Sequence, residues 1–311
     1  MLPQKDKFFE DKKMPKTKIK SGIKQGNIFG VKISITNKQE VLDFVESRLS
    51  LKEKFYIVTP NPENVLIAKD DWLLKKAIMH ADLSVPDGIG LSQAFKFLYF
   101  DDYRENLLRP LLIFGQGILV GLATIFNKNY LTDDLEIIKG RELFLDIIKI
   151  ADRRNLRVCF VGGEKDEAEK SKLKLKETYK NIIIQAYRTP IYGKNAQPVS
   201  IEERKIHKSL LGKIKIFEPD LIFVALNTPK QEKWIFRNIY RINTIGAMTV
   251  GGTFNFISGN TKLPPIWMEK IGLEWVWRLF KEPKRWKRIV NAFPIFPWKV
   301  FLWKLRKQPR K

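Results

Sequence analysis

The stretch Phe55–Phe97, FYIVTPNPENVLIAKDDWLLKKAIMHADLSVPDGIGLSQAFKF, decides how this chain folds. Two short apolar runs, Phe55–Val58 and Leu83–Val85, flank a segment with helical spacing, and each run ends in a polar turn. This pattern predicts a strand–helix–strand unit. In open α/β sheets, ligands bind at the carboxyl ends of the strands, so the two turns form a candidate site.

Three polar side chains occupy those turns. Asp87 lies in Pro-Asp-Gly, a triplet typical of a tight turn, but a carboxylate at a strand end can also act as a general base. Thr59 and Asn61 offer neutral donors and acceptors that suit a sugar or a phosphate. Asn61 can equally cap the next helix, with Pro62 at the first helical position. The residues alone leave both alternatives open.

The rest of the chain alternates between strand and helix patterns, which predicts an α/β fold with a Rossmann-like, mostly parallel sheet and flanking helices. The predicted strands are Asn27–Ile35, Arg157–Val161, Asn181–Tyr187, Asp220–Leu226 and Gly246–Val250. The predicted helices are Asn37–Leu49, Gly140–Arg153, Glu164–Tyr179 and Pro229–Arg241.

We divide the chain into a flexible basic arm at 1–26, an α/β core at 27–259, and a basic, membrane-proximal appendage at 260–311. The core contains an apolar insertion at 98–139, within which Pro110–Phe126 carries no charge. That run is at the short limit for a membrane span, and one full crossing would separate the two halves of the sheet. The sequence therefore predicts either a helix or helical hairpin that dips into one leaflet, or a subunit contact in a homo-oligomer.

Charge is the strongest compositional feature, with a formal net charge of +23. Residues 260–311 carry 14 Lys and Arg against three acids, and six of the eight tryptophans lie between Trp267 and Trp303. Such a mixture suits an anionic membrane surface, stacking on single-stranded nucleic acid, or an ordinary cationic helical subdomain. Composition does not choose among them.

Composition also excludes several classes of protein. At 44% hydrophobic residues the chain can bury a core, which excludes wholesale disorder. One cysteine, Cys159 in an apolar run, and two histidines exclude a disulfide or zinc framework, so we predict a buried inert thiol and no metal or cofactor. The polar N-terminus lacks a signal-peptide pattern, and a cytoplasmic location is the expectation.

Several glycine-containing loops follow predicted strands and could present N–H groups to a diphosphate, although plain tight turns explain them equally. They are Gly162-Gly163 and the block Val250–Asn255, which contains Gly252. Neither fits a dinucleotide or P-loop motif. Leu226–Trp234 places Asn227 and Gln231 at a strand end, where Gln231 could read a nucleotide or sugar hydroxyl or could lie in a solvated helical turn.

Arg278, Arg285 and Arg288 are spaced by seven and three residues. On one helix they would share a face, although Pro283 must kink or break that helix. Three guanidinium groups on one face could clamp a diphosphate without a metal, and a solvated basic face has the same spacing.

Ordered motif blocks identify a family resemblance. They are Thr59–Glu63, Ala81–Leu83, Pro86–Gly90, Phe160–Gly163, Pro219–Leu221, Ala225–Leu226, Pro229–Trp234, Gly251–Phe254, Gly272–Trp275, Arg278–Leu279 and Glu282–Pro283. Over Asn27–Phe97 and Gly140–Arg288 the chain resembles the bacterial WecG/TagA/CpsF glycosyltransferases, glycosyltransferase family 26.

The resemblance implies an inverting, metal-independent transfer of an N-acetylmannosamine-type sugar from a UDP-sugar. The acceptor would be a polyprenyl-diphosphate-linked sugar at the cytoplasmic membrane face, in cell-surface polysaccharide or teichoic acid-type synthesis. Asp87 matches the family's proposed base, with Thr59 and Asn61 beside it, and Gln231 matches a pocket residue. The three arginines match the cationic appendage. A basic single-stranded nucleic-acid-binding protein is the alternative.

Three positions depart from the family pattern. Asn255 stands where the family usually has Asp, near the expected nucleobase contact, and Asn227 stands where Gly is usual. Gly140–Leu143 replaces a typical Gly-x-Asp-Leu and follows an insertion much longer than the family's connection.

Overall fold

The computed structural model describes residues 22–100, 107–126, 135–265, 268, 274–281 and 286–306. Its centre is a six-stranded parallel sheet in the order β4-β3-β8-β7-β5-β6. The strands are β3 Phe55–Val58, β4 Leu83–Ser84, β5 Arg157–Gly162, β6 Ile183–Tyr187, β7 Leu221–Ala225 and β8 Gly246–Thr249. The expected α/β, Rossmann-like class is confirmed.

Helices cover both faces of this sheet. They are α1 Lys38–Leu51, α2 Pro62–Asp70, α3 Trp72–Met79, α4 Ile89–Tyr99, α5 Arg109–Phe126, α6 Gly140–Arg153, α7 Glu167–Thr178, α8 Ile201–Phe217, α9 Lys230–Asn238, α10 Thr253–Ile257, α11 Glu274–Lys281, α12 Trp286–Val290 and α13 Phe296–Arg306. One apolar core joins the sheet to α2, α3, α4, α8, α9 and α13, and the other joins it to α1, α6, α7 and α10. Cys159 is fully buried in β5, and burial raises the pKa of its thiol.

The predicted strand Asn27–Ile35 is instead a β-hairpin. The strands β1 Lys24–Ile28 and β2 Val31–Ile35 pair antiparallel around a two-residue turn. Phe29 and Gly30 both take positive φ, which matches the right-handed twist of a hairpin. Phe29 gives no turn signal in the sequence, and β1 begins at Lys24, inside the segment predicted as a flexible arm. Residues 1–21 of that arm lie outside the described residues.

Helix boundaries follow local capping. Asn37 closes a capping box with Glu40 at the start of α1. The helical segment between β3 and β4 is two helices rather than one, because Asp71 ends α2 and accepts a hydrogen bond from Leu74 N at the start of α3.

The apolar run of the insertion forms α5. One face of α5 packs against α4 and α13, with Ile113, Gln116 and Val120 buried. The insertion and the C-terminal appendage, distant in sequence, therefore meet in space, and we call α4, α5 and α13 together the helical lobe. Within the described residues, no helix has both the length and the apolarity needed to cross a bilayer.

Candidate functional site

The loops that carry the predicted site residues lie side by side at the carboxyl edge of the sheet. The strands β4, β3, β8 and β7 are neighbours and run parallel, so the loops that follow them meet at one edge. These loops contain Asp87, Thr59 with Asn61, Gly252 and Asn227, respectively. The fold thus brings together positions that are up to 193 residues apart in sequence (252 − 59).

Asp87 is half-buried and is held between two loops. Its N–H donates to Pro60 O at 2.8 Å, and Gly140 N donates to its Oδ1 at 3.4 Å. Gly140 opens α6, and the amino end of a helix favours a negative charge. A Cβ on Gly140 would lie 3.5 Å from Thr59 Oγ1, so Asp87, Gly140 and Thr59 form one compact group.

Thr59 links two strand ends. Its Oγ1 donates to Thr249 O at 3.2 Å, and its N–H donates to Thr249 Oγ1 at 3.1 Å. Because its side chain is buried, this hydroxyl fixes the loop after β3 against the end of β8. Asn61 caps α2 through its Oδ1, which accepts from Asn64 N at 3.0 Å, with Pro62 at the first helical position. The capping alternative is therefore realised, and it uses only the amide oxygen.

Gln231 and Glu232 connect three of these loops. Gln231 Nε2 donates to Glu232 Oε1 at 2.9 Å, and Gln231 Oε1 accepts from Gly251 N at 3.0 Å. Asn64 Nδ2 donates to the same Glu232 oxygen at 3.2 Å. The chain of hydrogen bonds runs from the first turn of α2 through α9 to the loop after β8. It sets the spacing of the loops around Asp87.

Glu232 is 1% exposed, and burial raises the pKa of its carboxyl group, with hydrogen bonds from Gln231 and Thr228 opposing part of that rise. Its Oε2 and the Oδ1 of Asn64 are both buried with no hydrogen-bond partner among the described residues. A negative charge on a buried carboxyl group with one unpaired oxygen would be poorly compensated. Burial and pairing therefore both favour the neutral acid.

The paired glycines after β5 are closely packed. A Cβ on Gly162 would lie 2.5 Å from Ala225 O, and Gly163 N donates to that same carbonyl at 2.8 Å. The next N–H, of Glu164, donates to Glu167 Oε2 at 2.9 Å. Two N–H groups that could have faced a diphosphate are thus bound within the chain, and the glycines allow β5 and β7 to approach.

The remaining predicted loop residues differ in their contacts. Asn227 and Gly252 are exposed, and Gly252 is the residue before α10. Asn255, where the family usually has Asp, accepts from Thr261 Oγ1 at 3.0 Å through its Oδ1. That contact ties α10 to the segment leading to the appendage.

Of the three arginines, Arg288 reaches this edge. Its Nε lies 2.5 Å from Glu63 Oε2, and Glu63 is in the first turn of α2, two residues after Asn61. Arg278 belongs to α11, but its side chain lies outside the described part of the chain, as does the whole of Arg285. Arg278 lies in α11 and Arg288 lies in α12, and residues 282–285, which join these two helices, lie outside the described residues.

Sequence reasoning missed four contributors: Glu63, Asn64, Gly140 and Glu232 support the predicted residues. Gly140 is 53 positions from Asp87, and no local pattern reports such a pairing. Two motif acids have a different place: Asp82 and Asp220 lie at the amino ends of β4 and β7. There they accept backbone hydrogen bonds from Tyr56 and Arg157 and stabilise the sheet.

No group of three or more His, Cys, Asp or Glu side chains in the described ranges is arranged around a metal position. At the carboxyl edge the structure places the carboxylates of Asp87 and Glu63 and the guanidinium of Arg288, beside the buried carboxyl group of Glu232. This set provides a base and a cation close to the same loop.

Comparison with known proteins gives a consistent result. A family model described as "Glycosyl transferase WecG/TagA/CpsF family" matches residues 26–113 and 101–310. The chain is 28% identical over 221 residues to a Bacillus subtilis (strain 168) protein named N-acetylglucosaminyldiphosphoundecaprenol N-acetyl-beta-D-mannosaminyltransferase; this match covers 71% of the chain and 80% of the relative.

Proteins with the same name in two other organisms are similar over longer stretches. The Staphylococcus aureus (strain MW2) protein is 26% identical over 278 residues, which is 88% of this chain and 91% of the relative. The Bacillus spizizenii protein is 28% identical over 262 residues, 80% of this chain and 85% of the relative. The chain belongs to the glycosyl transferase WecG/TagA/CpsF family.

Proposed function

We propose that this glycosyltransferase moves an N-acetylmannosamine-type sugar from a UDP-sugar to a polyprenyl-diphosphate-linked amino sugar. The observation that carries the proposal is the position of Asp87, held between Pro60 and Gly140 at the carboxyl edge of the sheet. The similar proteins from Bacillus and Staphylococcus are named for transfer of this sugar to an undecaprenol-linked acceptor. The reaction would contribute to a cell-surface polymer of the teichoic acid type.

The proposed chemistry is a single displacement. The acceptor hydroxyl oxygen attacks the anomeric carbon, the bond from that carbon to the diphosphate oxygen breaks, and UDP leaves with the electron pair. Asp87 takes the proton of the attacking hydroxyl. Attack and departure on opposite sides of one carbon invert its configuration.

Arg288 is a cation of this edge that can offset charge on the departing diphosphate. It already pairs with a carboxylate on the first turn of α2, next to the loop that holds Thr59 and Asn61. We propose that Arg278 and Arg285 join it, and that guanidinium groups rather than a metal ion neutralise the leaving group. Gln231, Gly252 and Asn255 would then border the donor nucleotide, together with Gly162, Gly163 and Asn227.

We further propose that the protein works as a peripheral protein at the inner face of the plasma membrane. A polyprenyl-linked acceptor is confined to a bilayer, and an excess of 23 positive charges attracts the protein to an anionic surface. The helical lobe carries much of the exposed apolar surface that such a position requires.

The experiment that tests the reaction is Asp87→Asn, assayed with UDP-N-acetylmannosamine and a short-chain lipid-diphosphate acceptor. Loss of the base should lower kcat by about 10²–10⁴-fold and leave UDP affinity, measured by calorimetry, nearly intact. Asp70→Asn, at an exposed position of α2, is the matched control and should keep full activity. Unchanged turnover in Asp87→Asn would refute the assignment.

Two further measurements test the finer parts of the proposal. The anomeric configuration of the product, read by NMR, should be opposite to that of the donor. Turnover should persist in the presence of a metal chelator, and loss of turnover that returns on addition of a divalent cation would refute metal-independent neutralisation.

A further inference from the structure

The helical lobe has an apolar face with no covering element in the described part of the chain. Its large exposed side chains span about three turns of α5 and the residues just before it. They are Leu107, Leu108, Leu111, Phe114, Ile118, Leu119 and Leu122. Exposed fractions reach 65% within the helix at Leu111. The only charged residue of α5, Arg109, turns away from this face and donates to the carbonyls of Lys304 and Leu305 at the end of α13.

This face continues onto α13 through aromatic contacts. The Phe114 and Phe301 rings meet edge-on at 6.2 Å, and Phe301 stacks on Trp298 at 5.4 Å. Trp298 is 57% exposed. One surface therefore runs from α5 to an aromatic pair on α13, in which Phe301 is half-buried and Trp298 is exposed.

Beyond Trp298, α13 borders a groove of a different character. Its walls are Phe29, Lys69, Lys299, Leu302, Trp303 and Arg306. These residues come from the turn of the β1–β2 hairpin, the end of α2 and the outer side of α13. We call this the cationic groove, since its lining has three cations, two aromatic rings and no acid.

None of the three cations has a carboxylate within 4.0 Å among the described residues. Lys69 Nζ lies 6.0 Å from the centre of the Phe29 ring, and the Phe29 and Trp303 rings are 5.1 Å apart. The groove thus combines uncompensated positive charge with aromatic walls. Anionic phosphate groups at a membrane interface have the complementary chemistry.

We propose that α5 and the cationic groove form one docking surface for a bilayer of anionic phospholipid, in which the apolar face of α5 enters the acyl region and the groove binds a lipid phosphate. The inference rests on the proposed placement at a membrane and names the residues that achieve it. It assigns the insertion at 98–139, through α5, to membrane attachment.

A second copy of this chain fits the surface less well. A two-fold contact across this face would enclose the cations of both grooves in one interface, and the groove lining has no acid to pair with them. An anionic bilayer instead supplies negative charge to the groove and apolar volume to α5. Charge complementarity therefore selects the bilayer.

The test is co-sedimentation of the full chain with vesicles of phosphatidylcholine alone or mixed with phosphatidylglycerol. The double variant Leu119→Asp/Leu122→Asp should lose binding to both vesicle types, because two charges would have to enter the acyl region. The double variant Lys299→Gln/Arg306→Gln should bind the mixed vesicles about tenfold more weakly or worse and should keep its weak binding to phosphatidylcholine.

Matched controls lie on α8, which precedes β7 and so ends at the opposite edge of the sheet. Ile216→Asp removes an apolar side chain that is 84% exposed, and Lys208→Gln/Lys213→Gln removes two exposed cations. Both should bind vesicles like the wild type. Circular dichroism and urea midpoints verify that each variant is folded.

Vesicle binding that is the same in test and control variants would overturn the proposal. So would unchanged vesicle binding with a shift in sedimentation coefficient for Leu119→Asp/Leu122→Asp, which would identify a second copy as the occupant. Transfer onto a water-soluble acceptor is measured in parallel. If wild-type transfer is absent while the test and control variants bind vesicles as expected, the proposed reaction fails and the docking surface stands. If the wild type transfers the sugar but test and control variants bind vesicles equally, the docking surface fails and the proposed reaction stands.

Discussion

Two buried ionisable side chains, Lys304 in the helical lobe and Glu232 at the carboxyl edge of the sheet, differ in how completely they are paired. Lys304 Nζ donates to Phe97 O, Phe100 O and Gln116 Oε1 at 2.6, 3.2 and 2.8 Å. Glu232 has three donors on Oε1, and its Oε2 has no partner among the described residues.

The difference shows that buried polar side chains have two different roles in this protein. In the lobe, a fully paired ammonium joins α13 to α4 and α5, so the lobe can expose its apolar outer face without coming apart. At the strand edge, a carboxyl group with one unpaired oxygen lies between loops that carry the candidate base. Incomplete pairing of buried groups is tolerated where the site needs them, and it costs stability there.

The largest expected effect is on the lobe. Lys304→Met keeps most of the side-chain volume and removes the three hydrogen bonds of the ammonium group, at a cost of about 3 kcal/mol, or about 1 kcal/mol for each hydrogen bond. We expect lower urea resistance and faster amide exchange in α5 and α13. Lys299→Met, on the outer side of the same helix, is the control and should change neither measurement.

The second effect is at the strand edge. Arg288→Gln should lower kcat/KM for the sugar donor by about 10²-fold, because the departing diphosphate loses a guanidinium partner. Lys287→Gln changes the neighbouring exposed cation and should have little effect. An equal loss in both variants would mean that Arg288 contributes only general positive charge.

A smaller effect distinguishes two roles for the Arg288–Glu63 ion pair: Glu63 either competes with the diphosphate for Arg288 or positions Arg288 for it. If Glu63 competes with the diphosphate for Arg288, Glu63→Gln should lower the donor KM by up to about fivefold, the range of a partly exposed ion pair. Glu46→Gln removes a comparable surface pair with Arg153, 2.9 Å apart, and should leave KM unchanged. A rise in KM for Glu63→Gln would show that the ion pair positions Arg288 instead.

The sequence predicted the sheet and its edge well, because apolar runs followed by polar turns report strand ends directly. It placed Thr59, Asn61 and Asp87 in neighbouring loops for that reason. It did not find Gly140 beside Asp87 or the link from Asn64 to Glu232, because these contacts join residues 53 and 168 positions apart and leave no periodic signal. The hairpin at Phe29 was missed because a phenylalanine with positive φ contradicts ordinary turn preferences.

The lobe was predicted only in part. The apolar run and the Trp-rich appendage were visible in the sequence, but their association was not. The buried ammonium of Lys304 looks like any other cation in a basic segment, and only the fold shows that it reaches the carbonyls of Phe97 and Phe100.

The smallest effect concerns the pH dependence of stability. Burial raises the pKa of Glu232 above its unfolded value of about 4.3, so the native state binds more protons between the two pKa values. Stability is then full below the unfolded pKa and falls as pH rises through the folded pKa. Glu232→Gln keeps an acceptor for Asn64 and Gln231 and, like the neutral acid, carries no charge at any pH of the experiment.

Urea midpoints of the wild type and Glu232→Gln should therefore agree near pH 4 and diverge in favour of the variant as pH rises. Glu177→Gln, on the exposed side of α7, is the control and should follow the wild type. Parallel pH profiles for all three proteins would show that Glu232 keeps its ordinary titration and that its second oxygen is paired in solution. Since Lys304 has no missing partner to supply, no single substitution of that residue should produce a comparable gain in stability.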